Sequence, residues 1–104
     1  MAGQPFDSEK ATVGSWQNDV DPTTFFKGQP AILHRSRIDV QIVLMRTRTP
    51  RFTPIEVTTA GVLIQGHHAC RAAIELGMSI DVKISPFPVR ATGKVSEMPI
   101  LEKT

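Results

Sequence analysis

His67 and His68 stand side by side directly after Gly66, and Arg71 and Glu75 follow them at helical spacing. Imidazole is the side chain whose ordinary pKa lies nearest neutral pH, which suits it to act as a general base or to carry protons. A guanidinium three residues beyond His68 and four beyond His67 would share a helix flank with them. The first N–H groups of a helix lack acceptors within it, and the macrodipole adds partial positive charge at that end. Gly66, His67, His68 and Arg71 therefore read as a phosphate cradle, in which the missing Cβ of Gly66 would let a ligand approach the backbone closely. His67 or His68 would serve as general base or orient a water, while Arg71 and the helix N–H donors would stabilise charge on a reacting phosphoryl group. A plainer reading takes the glycine as a turn and the histidines as exposed or structural hydrogen-bonding residues.

Positioning such a cluster requires the stretch Val62 to Ile84. Val62-Leu63-Ile64 is a short apolar run with strand character, Gly66 opens a helix and Gly77 closes it. Ala69, Ala72, Ala73 and Leu76 form one apolar stripe at i, i+3, i+4 and i+7, widened by Cys70 and Ile74. Ile80, Val82 and Ile84 alternate with Asp81, Lys83 and Ser85, the period of a half-exposed strand. Ile55 and Val57 favour a strand, and Thr59-Ala60-Gly61 would turn it into Val62–Ile64 as a hairpin.

Outside this stretch the signals are weaker. Residues 1–20 are polar and aperiodic and read as a flexible N-terminal arm, with Trp16 docking onto the body. Asp21-Pro22 is a helix-start signature stopped by Gly28, giving a short helix or turn whose phenylalanines pack inward. Ile38, Val40, Ile42 and Leu44 alternate and argue a strand, although Val43 and Met45 leave a helix open. Residues 46–54 carry three arginines and two prolines and read as a loop. Val89 to Val95 reads as an edge strand and residues 96–104 as a C-terminal tail, which leaves 21–95 as the core.

A chain of 104 residues supports one modest core. No apolar run is long enough for a membrane span, and the start lacks a signal-peptide pattern, so a cytoplasmic location is expected. The single cysteine, Cys70, excludes an internal disulfide, and its place near the apolar stripe favours packing over nucleophilic chemistry. Charge is unevenly spread. Residues 1–26 hold four acidic side chains and one basic, whereas residues 27–51 hold six basic and one acidic. That belt suits a nucleotide or nucleic-acid partner, with Arg35, Arg37, Arg46, Arg48 and Arg51 holding the backbone, or else it is a solvated surface. Asp39 and Glu56 are the carboxylates of the central region, which makes a divalent metal a poorly supported cofactor.

From about Ser36 to Ser85 the chain resembles the ParB/sulfiredoxin superfamily, particularly its ParB-like nuclease-domain branch. The likeness lies in Pro54-Ile55-Glu56-Val57, Gly61 to His68, Arg71-Ala72-Ala73, Leu76-Gly77 and Ile80-Asp81-Val82. It implies an α+β fold, a small mixed sheet with a central helix after a strand-Gly-His-His turn. It also implies that Gly66, His67, His68 and Arg71 bind phosphates of a nucleoside triphosphate, CTP as in chromosome-partition ParB proteins or ATP as in sulfiredoxins. Ala69 stands where many members place the first arginine, and His67 where sulfiredoxins place the catalytic cysteine, so sulfinate reduction is not implied. Lone cores of this kind are similar to nuclease modules of bacterial polymorphic toxins, which implies delivery into a target cell and an immunity protein as partner. The resulting expectation is a toxin-type nuclease or nucleotide phosphohydrolase. Its alternatives are a non-catalytic nucleotide-sensing or DNA-binding module, and a partner-binding adaptor or immunity protein.

Overall fold

The computed structural model describes residues 3–28, 32–50 and 53–102. They form a mixed α+β fold with one six-stranded mixed sheet, one two-stranded ribbon and two α-helices. The strands are β1 (Trp16–Val20), β2 (Phe26–Lys27), β3 (Leu33–His34), β4 (Ile55–Val57), β5 (Val62–Gln65), β6 (Ile80–Ile84), β7 (Gly93–Lys94) and β8 (Ile100–Leu101). Helix α1 (Arg35–Arg46) lies between β3 and β4, and α2 (His67–Leu76) between β5 and β6. Sheet order is β1-β6-β4-β5-β2-β7, while β3 and β8 pair in parallel apart from it.

The centre of the sheet follows the sequence closely. β4 and β5 are an antiparallel hairpin, and β6 returns beside β4 in parallel register, with Ile55 opposite Val82 and Val57 opposite Ile84. Ile55, Val57, Val82 and Ile84 are buried, and α2 sets its small residues Ala69, Cys70, Ala72 and Ala73 into the same core. The helix stops at Gly77 (φ 65°), whose N–H returns to Ala73 and Ile74 while Met78 donates to the Ala73 carbonyl at 2.9 Å. No helix among the described residues is long and apolar enough to cross a membrane.

Three outer segments differ from expectation. Residues 35–46 are helical, not a strand: the buried stripe runs Ile38, Ile42, Met45, at i, i+4 and i+7, while Val40 and Val43 are more than half exposed. Apolar side chains on both faces had produced the period-two alternation. The expected arm contributes β1, an edge strand paired with β6, and Gln4 clasps it by donating to the Asp19 carbonyl at 2.9 Å and accepting from Asp21 N–H at 2.7 Å. Phe6 packs on buried Phe25 with ring centroids 5.4 Å apart, whereas Trp16 is 51% exposed instead of docked. The expected tail from residue 96 completes a turn begun at Val95, adds β8 and buries Met98 in the core, while of the edge strand expected over Val89–Val95 only Gly93–Lys94 is a strand and Val95 is buried at the turn. The short helix or turn expected after Asp21 is a single turn, Pro22–Thr24, with Asp21 capping it; Phe25 is buried and Phe26 joins β2.

Arg48 marks a local cost. It follows the α1 C-cap with φ 54°, the position Gly77 fills after α2, and the same pair of bonds closes the end: Arg48 N–H to Met45 at 3.2 Å and Thr49 N–H to Leu44 at 2.9 Å. A side chain with a Cβ is disfavoured in this left-handed conformation. Arg48→Gly should therefore stabilise the fold by about 0.5–1 kcal/mol, read as a higher urea midpoint with unchanged slope. A midpoint at or below the parent value would show that the arginine makes a compensating interaction.

Candidate functional site

Gly66 precedes α2 with φ 94°, and its carbonyl accepts the first helical bond from Cys70 N–H at 2.8 Å. His67 and His68 are thus the first two residues of the helix, not members of the turn, and no side chain caps this end. A Cβ at Gly66 would sit 3.0–3.2 Å from Ile55 Cγ1, Cγ2 and Cα, so that side of the glycine is filled by β4.

The two imidazoles meet different surroundings. His67 Nε2 is buried and has no hydrogen-bond partner. Burial, and secondarily the neighbouring His68, lower the His67 pKa below the ordinary histidine value. His68 Nε2 accepts the backbone N–H of His34 at 3.1 Å, and the two rings stack with centroids 6.2 Å apart at 22°. Burial, then Arg37, then His34 lower the His68 pKa.

His34 was not among the residues singled out from the sequence. It is the N-cap of α1, which also lacks a side-chain cap. The bond from His34 to His68 therefore brings the starts of both helices together, along with all three histidines of the chain and Arg37. Only tertiary contact reveals this, since His34 and His68 are 34 residues apart. Among the described residues no group of three or more His, Cys, Asp or Glu could hold a metal ion.

The remainder of the α2 ridge is engaged within the chain. Arg71 donates from one terminal nitrogen to the carbonyls of Val95 (3.1 Å), Ser96 (2.7 Å) and Met98 (3.3 Å). Glu75 accepts from Arg35 at 2.8 Å, which holds its carboxyl below the usual range. Arg35 also reaches Glu102 at 3.1 Å and Asp39 at 3.9 Å, and the Glu75 and Glu102 bonds push its pKa up. His68, Arg71 and Glu75 thus tie α2 to β3, to the 95–98 segment and to α1 in turn. Cys70 is fully buried with its thiol against the Pro22 carbonyl, and burial pushes its pKa up, the state of a packing residue.

Of the expected nucleic-acid-binding arginines, Arg35 is half-buried in ion pairs, while Arg37, Arg46 and Arg48 are exposed on α1 and just beyond it. Arg51 lies outside the described residues. Arg37 stands at the helix start near His68, and Arg46 is roughly 14 Å away along the helix axis. Compared with known proteins, the chain matches no family model, no curated protein and no solved structure.

Proposed function

We propose that this chain is a ParB-like phosphate-binding domain that acts on nucleic acid or a nucleotide, with phosphoester hydrolysis of the bacterial-toxin type as its activity. The observation that carries the reading is the meeting of two uncapped helix starts at the His34–His68 contact, beside Arg37 and the unpartnered Nε2 of His67. Two positive dipole ends and a guanidinium in one place repel each other unless an anion answers them. Free N–H donors of the first turns can receive phosphate oxygens, and Arg37, Arg46 and Arg48 extend positive charge along α1 for a polyanion. In hydrolysis, water attacks phosphorus and passes its proton to His67 Nε2, which must first be uncovered by movement of the packing that buries it, while the departing oxygen takes a proton from solvent as its bond to phosphorus breaks. His67 is the base in this scheme because the corresponding nitrogen of His68 already accepts a bond. In the Nδ1–H tautomer of neutral His67, Nε2 presents the lone pair that a base requires.

The engagement of His68 and Arg71 within the chain favours a second reading, in which the same seat binds phosphate without turnover. Thermal shift with inorganic phosphate, CTP, ATP and a short oligonucleotide, followed by product analysis on plasmid DNA, RNA and the triphosphates, separates the two. Hydrolysis that falls about 100-fold or more in His67→Ala supports the enzyme. Stabilisation without product supports the binding module. No stabilisation and no product, or full turnover in His67→Ala, overturns the catalytic assignment.

A further inference from the structure

The β3–β8 ribbon is a small appendage fastened at few points. Leu33 pairs with Ile100 and His34 with Leu101, and Leu33 N–H reaches the Pro99 carbonyl at 3.0 Å. Leu33 is buried, whereas Leu101 is 44% exposed. At its His34 end the ribbon is joined to α2 by the His34 N–H to His68 Nε2 bond and by the stacked rings. The acceptor in that bond is the lone pair of a neutral imidazole. Protonation turns the acceptor into a donor, so two N–H groups would face each other.

We propose that the ribbon is an acid-released latch, in which protonation of His68 Nε2 breaks its bond to the His34 backbone and frees the start of α1 and the 100–101 strand from α2. The charged surroundings work in the same direction. Arg37 on α1, His34 on β3, His67 on the same helix and the positive end of α2 all oppose an imidazolium at this place, and Arg71 lies one turn further on. Among the described residues the carboxylates of the packed elements are engaged elsewhere: Glu75, Glu102 and Asp39 with Arg35, and Glu56 with the Ser85 hydroxyl.

The direction with pH follows from these contacts. A histidine whose pKa is lower folded than unfolded contributes stability that is fully present above the unfolded value of about 6.5 and declines as pH falls below it. Both His67 and His68 are of this kind. Glu75 stays ionised through that window because Arg35 holds its pKa down. Release is local, since Leu33, Val95 and Met98 remain buried. The latch stands on the His34–His68 bond alone; its consequence, that the opened and protonated entrance takes phosphate more tightly, rests on the anion-seat reading above.

The test is amide hydrogen exchange by NMR between pH 7.5 and 5.5, corrected for intrinsic rates, in the parent chain and in His68→Gln. The expected result is a loss of protection at His34, Ile100 and Leu101 that approaches tenfold per pH unit as pH falls below about 6.5 and levels off once the latched His68 itself takes a proton, with β4 and β6 unaffected and the step absent in His68→Gln. Flat protection at His34, or the same step in His68→Gln, overturns the latch. Ring nitrogen shifts of the parent chain give a second readout: His68 as the Nδ1–H tautomer titrating below the ordinary value supports it, and an Nε2–H tautomer overturns it. Inorganic phosphate is then titrated at both pH values. Exchange that steps without any phosphate binding keeps the latch and sinks the anion seat, while binding without a step does the reverse.

Discussion

Replacing Arg71 by alanine should lower the folding free energy by about 3 kcal/mol, an effect as large as emptying a core position. One nitrogen of Arg71 serves the carbonyls of Val95, Ser96 and Met98, and Val95 and Met98 are themselves buried, so the guanidinium fastens the end of the chain to α2. Bonds from an ionised donor contribute about 1.5–3 kcal/mol each. Here three acceptors share two hydrogens, and the 3.3 Å contact is long, so the sum stays near the lower end. A carbonyl left unpaired out of water adds to the loss. Since all three contacts go to one terminal nitrogen, the ammonium of Arg71→Lys can recover part of it, and the lysine variant should lose only about 1 kcal/mol. Urea denaturation with the slope held in common measures both. If Arg71→Ala unfolds at the parent midpoint, the clamp is unimportant and the side chain becomes available to a ligand.

The parts of the fold legible in the sequence are those whose burial is local. Between Ile55 and Ile84 the apolar period changes from two to 3.6 and back, and Gly61, Gly66 and Gly77 mark the junctions, so hairpin, helix and strand stand where expected. α1 was ambiguous because Val40 and Val43 place apolar surface outside the Ile38–Ile42–Met45 stripe. The chain ends were illegible for another reason. β1 has Asp19 in a left-handed conformation at an irregularity of register and buries only Val20, so the strand is held by backbone pairing without an apolar alternation. Val95 and Met98 are single apolar residues whose burial depends on Phe25 and α2, far away in sequence. The candidate site divides in the same manner. Helical spacing correctly put His68, Arg71 and Glu75 on one flank, but what they face was set by β3, α1 and the 95–102 segment. A polar ridge looks alike on paper whether its partners are ligands or backbone.

Gly66→Ala separates those two possibilities for the glycine. With φ at 94°, an alanine there bears the strain of the left-handed region, about 1–2 kcal/mol. Its Cβ would also stand 3.0 Å from Ile55 Cγ1, 3.1 Å from Cγ2 and 3.2 Å from Cα, against a strand in the middle of the sheet that has little freedom to retreat. Overpacking of that kind adds about 1 kcal/mol, so the whole loss should be about 2–3 kcal/mol. Gly77→Ala is the matched control: φ is 65°, but nothing lies within 4 Å of the new Cβ, so it reports the backbone part alone, about 1 kcal/mol. The difference between the two urea-derived free energies then measures the contact with Ile55. A glycine kept solely for ligand approach would behave otherwise. Gly66→Ala would match Gly77→Ala in stability and lose only phosphate binding, and in that event Ile55 must yield easily and the backbone beyond it is the surface a ligand reaches.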